Sequence, residues 1–222
     1  LAPRLPAPET DEVGPAKTAL DELRKIRPGT KEEAALRVAI AYQEGGVAPV
    51  EPAVAASGEQ PPRTALLYRL AGQQAASKYR FDEAVTFARR ATLADSEDPD
   101  AQVDLGLYLL RTGDEREARN ALERAFKDDP YNVSTFNSLD LLDTLDKFQT
   151  ITDGDLIFKS HPDEVAVMKE QAIPLAKEAL AALSKRYQFQ PKGPLLIEMF
   201  PKHDDFAVRT IGLPGMIGAL GA

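Results

Sequence analysis

Apolar residues recur at helical spacing over most of this chain, and small residues interrupt them at fixed intervals. Gly72 recurs as Gly106, Ala84 as Ala118 and Ala91 as Ala125, each at a spacing of thirty-four residues, with Ala71 answered by Leu105. Where two helices cross at the distance a one-turn connection imposes, only Gly or Ala leaves room for the facing backbone. The spacing therefore predicts helical hairpins that stack, each burying its stripe on its neighbour. Asp98-Pro99 supplies an N-cap acceptor and a first-turn proline, while Gly113 ends one helix and Asp114 with Glu117 opens the next. One hairpin is expected over Ala65 to Asp98 and a second over Pro99 to Asn132. The first has Lys78-Tyr79-Arg80 at its turn where the second has glycine.

The same pattern read from the start of the chain places a proline-rich leader at 1–14. A helix follows over Pro15 to Ile26, with Ala16, Ala19, Leu20, Leu23 and Ile26 on one face, and then one capped by Thr30 that Gly45-Gly46 stops. This pair misses the thirty-four-residue register and reads as a degenerate capping hairpin. Ala48 to Arg63, rich in Pro, Ala and small polar residues, reads as an extended connection. After the second hairpin a further first helix runs from Val133 to about Asp146, its stripe supplied by Phe136, Leu139, Leu142 and Leu145, with no second helix behind it.

From Phe148 to Phe158 the period changes to alternation around Asp153-Gly154, which predicts a tight β-hairpin. His161-Pro162-Asp163-Glu164 opens a long helix to about Tyr187 that Pro174 should kink or divide. Pro194 to Phe200 reads as a strand and Asp204 to Arg209 as a short helix, with Asp205 and Arg209 placed to pair along it. The tail, Ile211 to Ala222, is apolar and glycine-rich. The fold class is mainly α, a helical-hairpin solenoid followed by a partial α+β segment of strand, strand, helix, strand. The divisions are 1–14 leader, 15–64 capping helices and linker, 65–147 repeats, and 148–222 the partial α+β part.

Leu105-Gly106, Gly113-Asp114, Glu117-Ala118, Ala125 and Pro130 together resemble a tetratricopeptide repeat, and Tyr68, Gly72 and Phe81-Asp82-Glu83-Ala84 resemble it in the preceding copy. That resemblance implies a protein-interaction scaffold whose first helices line a groove. The residues placed there are Leu66, Arg69 and Gln73, then Val103, Leu107, Leu110 and Arg111, then Asn137 and Leu141. So apolar a groove needs cover. The N-terminal helices, the following segment or an external protein or peptide partner would each supply it, and misregistered helices would remove the need.

A second resemblance covers 148–222. The hairpin, the helix ending Lys185-Arg186-Tyr187-Gln188-Phe189, the strand Leu195 to Phe200, and Asp205-Phe206-Ala207-Val208-Arg209-Thr210 with Gly212-Leu213-Pro214 resemble the N-terminal half of a peptidase-MA-like, gluzincin-type metallopeptidase domain. In that family a His-Glu-x-x-His helix further along holds zinc. This sequence has no such motif, so no catalytic residue carries over, and zinc would belong to a longer parent protein. The resemblance implies a bacterial cell envelope or periplasm. It leaves two functions open: part of a peptidase whose repeats recruit protein, or a purely structural adaptor.

Charge and residue inventory narrow the chemistry. The net charge of −8 and the absence of basic runs disfavour nucleic acid and anionic lipid. No apolar run is long enough for a transmembrane segment. With 0 cysteines there are no thiolates, and 2 histidines, His161 and His203, are too few for a zinc site without several carboxylates. No elbow serine accompanies either histidine, and the glycines of the tail follow a helix instead of opening one, against a phosphate loop. No cofactor is therefore expected in this chain. The first residue is Leu, as in a processed or trimmed product.

Overall fold

In the computed structural model, residues 13–215 are described, and contacts divide the chain into two compact units, Leu1–Ala125 and Phe126–Ala222. The first unit is helical. It comprises α1 (Val13–Ile26), α2 (Lys31–Gly45), α3 (Val50–Ala55), α4 (Thr64–Ser77), α5 (Phe81–Ala94), α6 (Pro99–Thr112) and α7 (Glu115–Asp128), the last running past the division. The expected caps form. Thr30 Oγ1 accepts from the Glu33 amide at 3.3 Å, Asp98 from Asp100 at 3.0 Å and Asp114 from Glu117 at 3.0 Å.

Stacking follows the small residues. Gly72, Ala84, Gly106 and Ala118 are all buried. A Cβ built on Gly106 would lie 2.5 Å from Leu122 Cγ and 3.3 Å from the Ala118 carbonyl oxygen, so α6 and α7 meet backbone against side chain with no slack. At Gly72 the equivalent atom would lie 3.5 Å from the Ala84 carbonyl oxygen and 3.4 Å from Tyr108 of α6, which packs α4 and α6 side by side. The α4–α5 turn forms without glycine: Tyr79 adopts the left-handed conformation (φ 59°) where its counterpart Gly113 has φ 87°. A side chain there costs about 1–2 kcal/mol. Its ring packs edge-on to Phe81 at 6.1 Å.

The capping hairpin α1–α2 joins the stack despite missing the register, because α2 packs on α4 as α5 packs on α6. Tyr42 of α2 is buried, meets Phe87 of α5 edge-on at 5.7 Å, and donates to Glu83 at 2.7 Å. The stretch expected to be an extended connection contains α3, whose Val50, Ala53 and Val54 are buried. Glu51 anchors it, accepting from the Tyr68 hydroxyl at 3.0 Å and from Arg90. A single turn and a half with proline inside it carries too short a pattern for periodicity to register.

The second unit contains α8 (Val133–Leu145), β1 (Gln149–Asp153), β2 (Leu156–Ser160), α9 (Pro162–Tyr187), β3 (Leu195–Met199) and α10 (His203–Ile211). The sheet order is β1-β2-β3, antiparallel then parallel. Asp153 pairs with Leu156, so the turn residues are Gly154-Asp155, one position later than expected; Gly154 alone of the two has positive φ, 62°, the pattern of a II′ turn. α9 is not divided at Pro174, which lies inside a continuous helix, and it packs on β1 and β2. At 26 residues it is about 39 Å long. The five-residue strands beneath it span about 16 Å. The helix therefore overhangs the sheet, and Leu175, Leu183 and Tyr187 are exposed.

Arg209, expected to pair with Asp205, sends its Nε to Glu198 of β3 at 2.6 Å, joining α10 to the sheet. The stripe expected on α8 is shifted: Leu142 and Leu145 are buried with Thr135, Ser138 and Leu141, while Phe136 is exposed. Phe148, Phe200 and Phe206 pack in series at the sheet end, with centroids 5.6 and 6.4 Å apart. The tail beyond Gly215 and the leader before Val13 lie outside the described residues.

Candidate functional site

The nine groove residues fall into distinct environments. On α4, Leu66 is 43 % exposed and Gln73 is exposed. Arg69 is drawn inward by α6. Its Nε donates to Asp104 at 2.9 Å and its Nη1 to Asp100 at 2.9 Å, with Asp98 3.6 Å away. One guanidinium from one hairpin thus meets three carboxylates from the next. Burial pushes the Asp104 carboxyl above its usual range, against the hydrogen bond and charge of Arg69, with Asp100 adding to the rise. Burial would lower the Arg69 guanidinium, but Asp104 and then Asp100 and Asp98 outweigh it and hold it charged.

On α6, Val103 and Leu107 are half-buried, whereas Leu110 is buried in the core. Arg111 is exposed and lies 5.4 Å over the Phe81 ring. In the second unit, Asn137 donates to the Gly212 carbonyl at 3.2 Å and Leu141 is buried. The structure therefore gathers Arg69 with Asp98, Asp100 and Asp104, three residues that the sequence reading left out of the groove. A signal for them exists: Arg69 advanced by one repeat reaches Val103, which Asp100 and Asp104 flank on the same helix.

The described residues of the second unit line cavities of two kinds. One, of about 370 Å³, sits between the C-terminal half of α9 and β3 and is lined by Leu180, Leu183, Tyr187, Phe189, Leu195 and Ile197. The other, of about 320 Å³, takes Lys147, His161, Asp163, Glu164, Lys202 and Asp205. His161 caps α9, its Nδ1 facing the Asp163 amide at 3.4 Å. Burial raises the Asp205 carboxyl, with Asp140 and Asp204 adding to it against Lys202. His203 packs against Phe206 at 6.2 Å. Among the described residues no three His, Asp or Glu side chains are grouped as a metal would require, and no helix is long and apolar enough to cross a membrane.

The chain is a mainly helical protein of stacked hairpins followed by a small three-stranded mixed sheet with its helices. No protein-family model matches it, and no curated protein matches its sequence. A solved structure titled "Crystal structure of MamA" superposes on 81 % of this chain and 93 % of its own, with 17 % identity and a TM-score of 0.44.

Proposed function

We propose that residues 65–147 form a tetratricopeptide-type module that serves as a protein-interaction scaffold, with 15–64 as its capping helices. The observation that carries this reading is the repeated close approach at Gly72/Ala84 and Gly106/Ala118, one period apart, which presents α4 and α6 side by side. Partner contacts fall to Leu66 and Gln73 of α4 and to Val103, Leu107 and Arg111 of α6. Arg69 shapes that face from within. Leu110 supports it from the core, while Asn137 and Leu141 lie on α8 of the second unit.

The test selects peptides from a displayed library on the intact chain and measures their affinity for a Leu66→Asp, Leu107→Asp variant. Loss of about tenfold or more, with the urea midpoint retained, is expected if these are anchors at an interface. Peptides that bind the variant as tightly as the parent refute the assignment. Leu110→Asp serves as the contrast, since a charge there enters the core and unfolds the unit.

A second reading takes 148–222 as the opening of a peptidase-MA-like zinc metallopeptidase domain, non-catalytic in itself. The order β-hairpin, long helix, parallel strand and short helix supports it. Zinc content and casein cleavage, measured on the product of the coding sequence extended past Ala222, decide it. A His-Glu-x-x-His helix with bound zinc favours the peptidase, and its absence favours an adaptor with no peptidase activity.

A further inference from the structure

We infer that the α4–α6 face of the first unit takes a cationic peptide anchored by leucine-type side chains, a proposal that rests on reading this face as an interaction surface and adds the chemistry of its occupant. The anchor positions are apolar and accessible: Leu66 is 43 % exposed, and Val103 and Leu107 are partly so. Around them the charge is unbalanced. Arg69 has 16 % side-chain exposure and already serves Asp98, Asp100 and Asp104, so it offers no cation outward. Two of the three carboxylate charges are left over, and Asp100, with 63 % side-chain exposure, places its charge at the surface. Within α4 and α6 the other cation is Arg111, which lies over the Phe81 ring, and Arg63 at the start of α4 is paired with Glu59 at 3.7 Å.

An acidic peptide laid on the same leucines would set like charges beside Asp100 and Asp98, which costs affinity and slows encounter. A Lys- or Arg-bearing peptide meets the surplus, and the chain's net charge of −8 steers it inward. Opposite charges brought together at an exposed face lose their attraction as salt rises.

Three synthetic helical peptides with the same leucine spacing test this by fluorescence anisotropy on the full chain, one with lysine between the leucines, one with glutamate and one with glutamine. The lysine peptide is expected to bind about tenfold tighter than the glutamine peptide at low salt and to lose most of that advantage near 0.5 M salt, where the Debye length has shrunk to about 4 Å from about 10 Å at 0.1 M. Asp100→Asn, at an exposed position, should weaken the lysine peptide several-fold and leave the glutamine peptide unchanged. Binding of the glutamate peptide as tight as that of the lysine peptide overturns the proposal. So does lysine-peptide affinity that survives in a Leu66→Gln, Leu107→Gln variant, because the general acidity of the chain would then explain it. If none of the three peptides binds, the reading of this face as an interaction surface is what fails.

Discussion

Gly106 and Gly72 occupy the same place in successive hairpins, yet adding one methyl group to each should have opposite effects. At Gly106 the new carbon would sit 2.5 Å from Leu122 Cγ and 2.7 Å from Cδ2, with the Ala118 carbonyl at 3.3 Å, and Leu122 is fully buried. Carbon atoms rest at about 3.5–4.0 Å, so Leu122 must retreat by roughly 1 Å into a filled core. Overpacking of that kind costs about 1–3 kcal/mol, and this site belongs at the upper end. Alanine returns about 1 kcal/mol of helix propensity. The net loss for Gly106→Ala is then about 2 kcal/mol. At Gly72 the corresponding contacts are 3.4 and 3.5 Å, ordinary packing distances, so Gly72→Ala keeps most of the propensity gain.

Urea unfolding followed by far-ultraviolet circular dichroism compares the two. A gap of about 2–3 kcal/mol corresponds to roughly 5–10 °C in Tm for a chain of this size. The clash can be isolated further by truncating its partner. Leu122→Ala alone should cost about 2–5 kcal/mol, and distinctly less when Gly106→Ala is already present, because the added methyl occupies part of the space vacated. Equal shifts for Gly72→Ala and Gly106→Ala, or strict additivity with Leu122→Ala, would show that the backbones do not meet at Gly106 as described.

Other outcomes follow from single side chains. Glu33 accepts from the Gly29 amide at 2.7 Å, from Arg24 at 3.0 Å and from Arg37, and these hold its carboxyl at about 2 instead of 4.5, against burial. Its contribution to stability is complete above pH 4.5 and is lost as the pH falls toward 2. Glu33→Gln should therefore flatten the acid limb of the urea midpoint plotted against pH; parallel curves for the two proteins contradict the assignment. Pro174 lacks the amide that would bond the Glu170 carbonyl, inside a helix that otherwise continues. Pro174→Ala should strengthen α9 by up to about 3 kcal/mol, read as slower amide exchange on either side of position 174. Unchanged protection there would mean that neighbouring groups already compensate.

The α6–α7 hairpin was legible because three local signals agreed, a cap, a small residue at the crossing and an apolar stripe, and the α4–α5 hairpin, whose helices have no side-chain cap, was legible through its small residues at the same thirty-four-residue offset. Where only one signal was present the reading slipped. In Asp153-Gly154-Asp155 both dipeptides are good turn formers, and only the pairing of Asp153 with Leu156 selects the second. On α6 the apolar residues cover more than one face, with Leu105, Tyr108, Leu109 and Leu110 all buried, so a linear pattern gives no way to rank Leu110 below Leu107 as a surface residue. Arg69 looked like a groove cation because its partners lie on the next inner helix. A pairing across thirty-odd residues depends on how two hairpins are offset, a quantity that no short window contains.

Helix α3 lies at the junction between the α1–α2 hairpin and the one that begins with α4. Extra chain spliced in at such a joint leaves both flanking hairpins intact, provided that α2 still reaches α4. The eighteen residues from Gly46 to Arg63 use that latitude and then fasten themselves down through Glu51. A hairpin array of this kind is elastic in length between its members and rigid within them. Newly acquired segments can lodge at the seams, and the place where a strict period breaks need not be the place where the architecture ends.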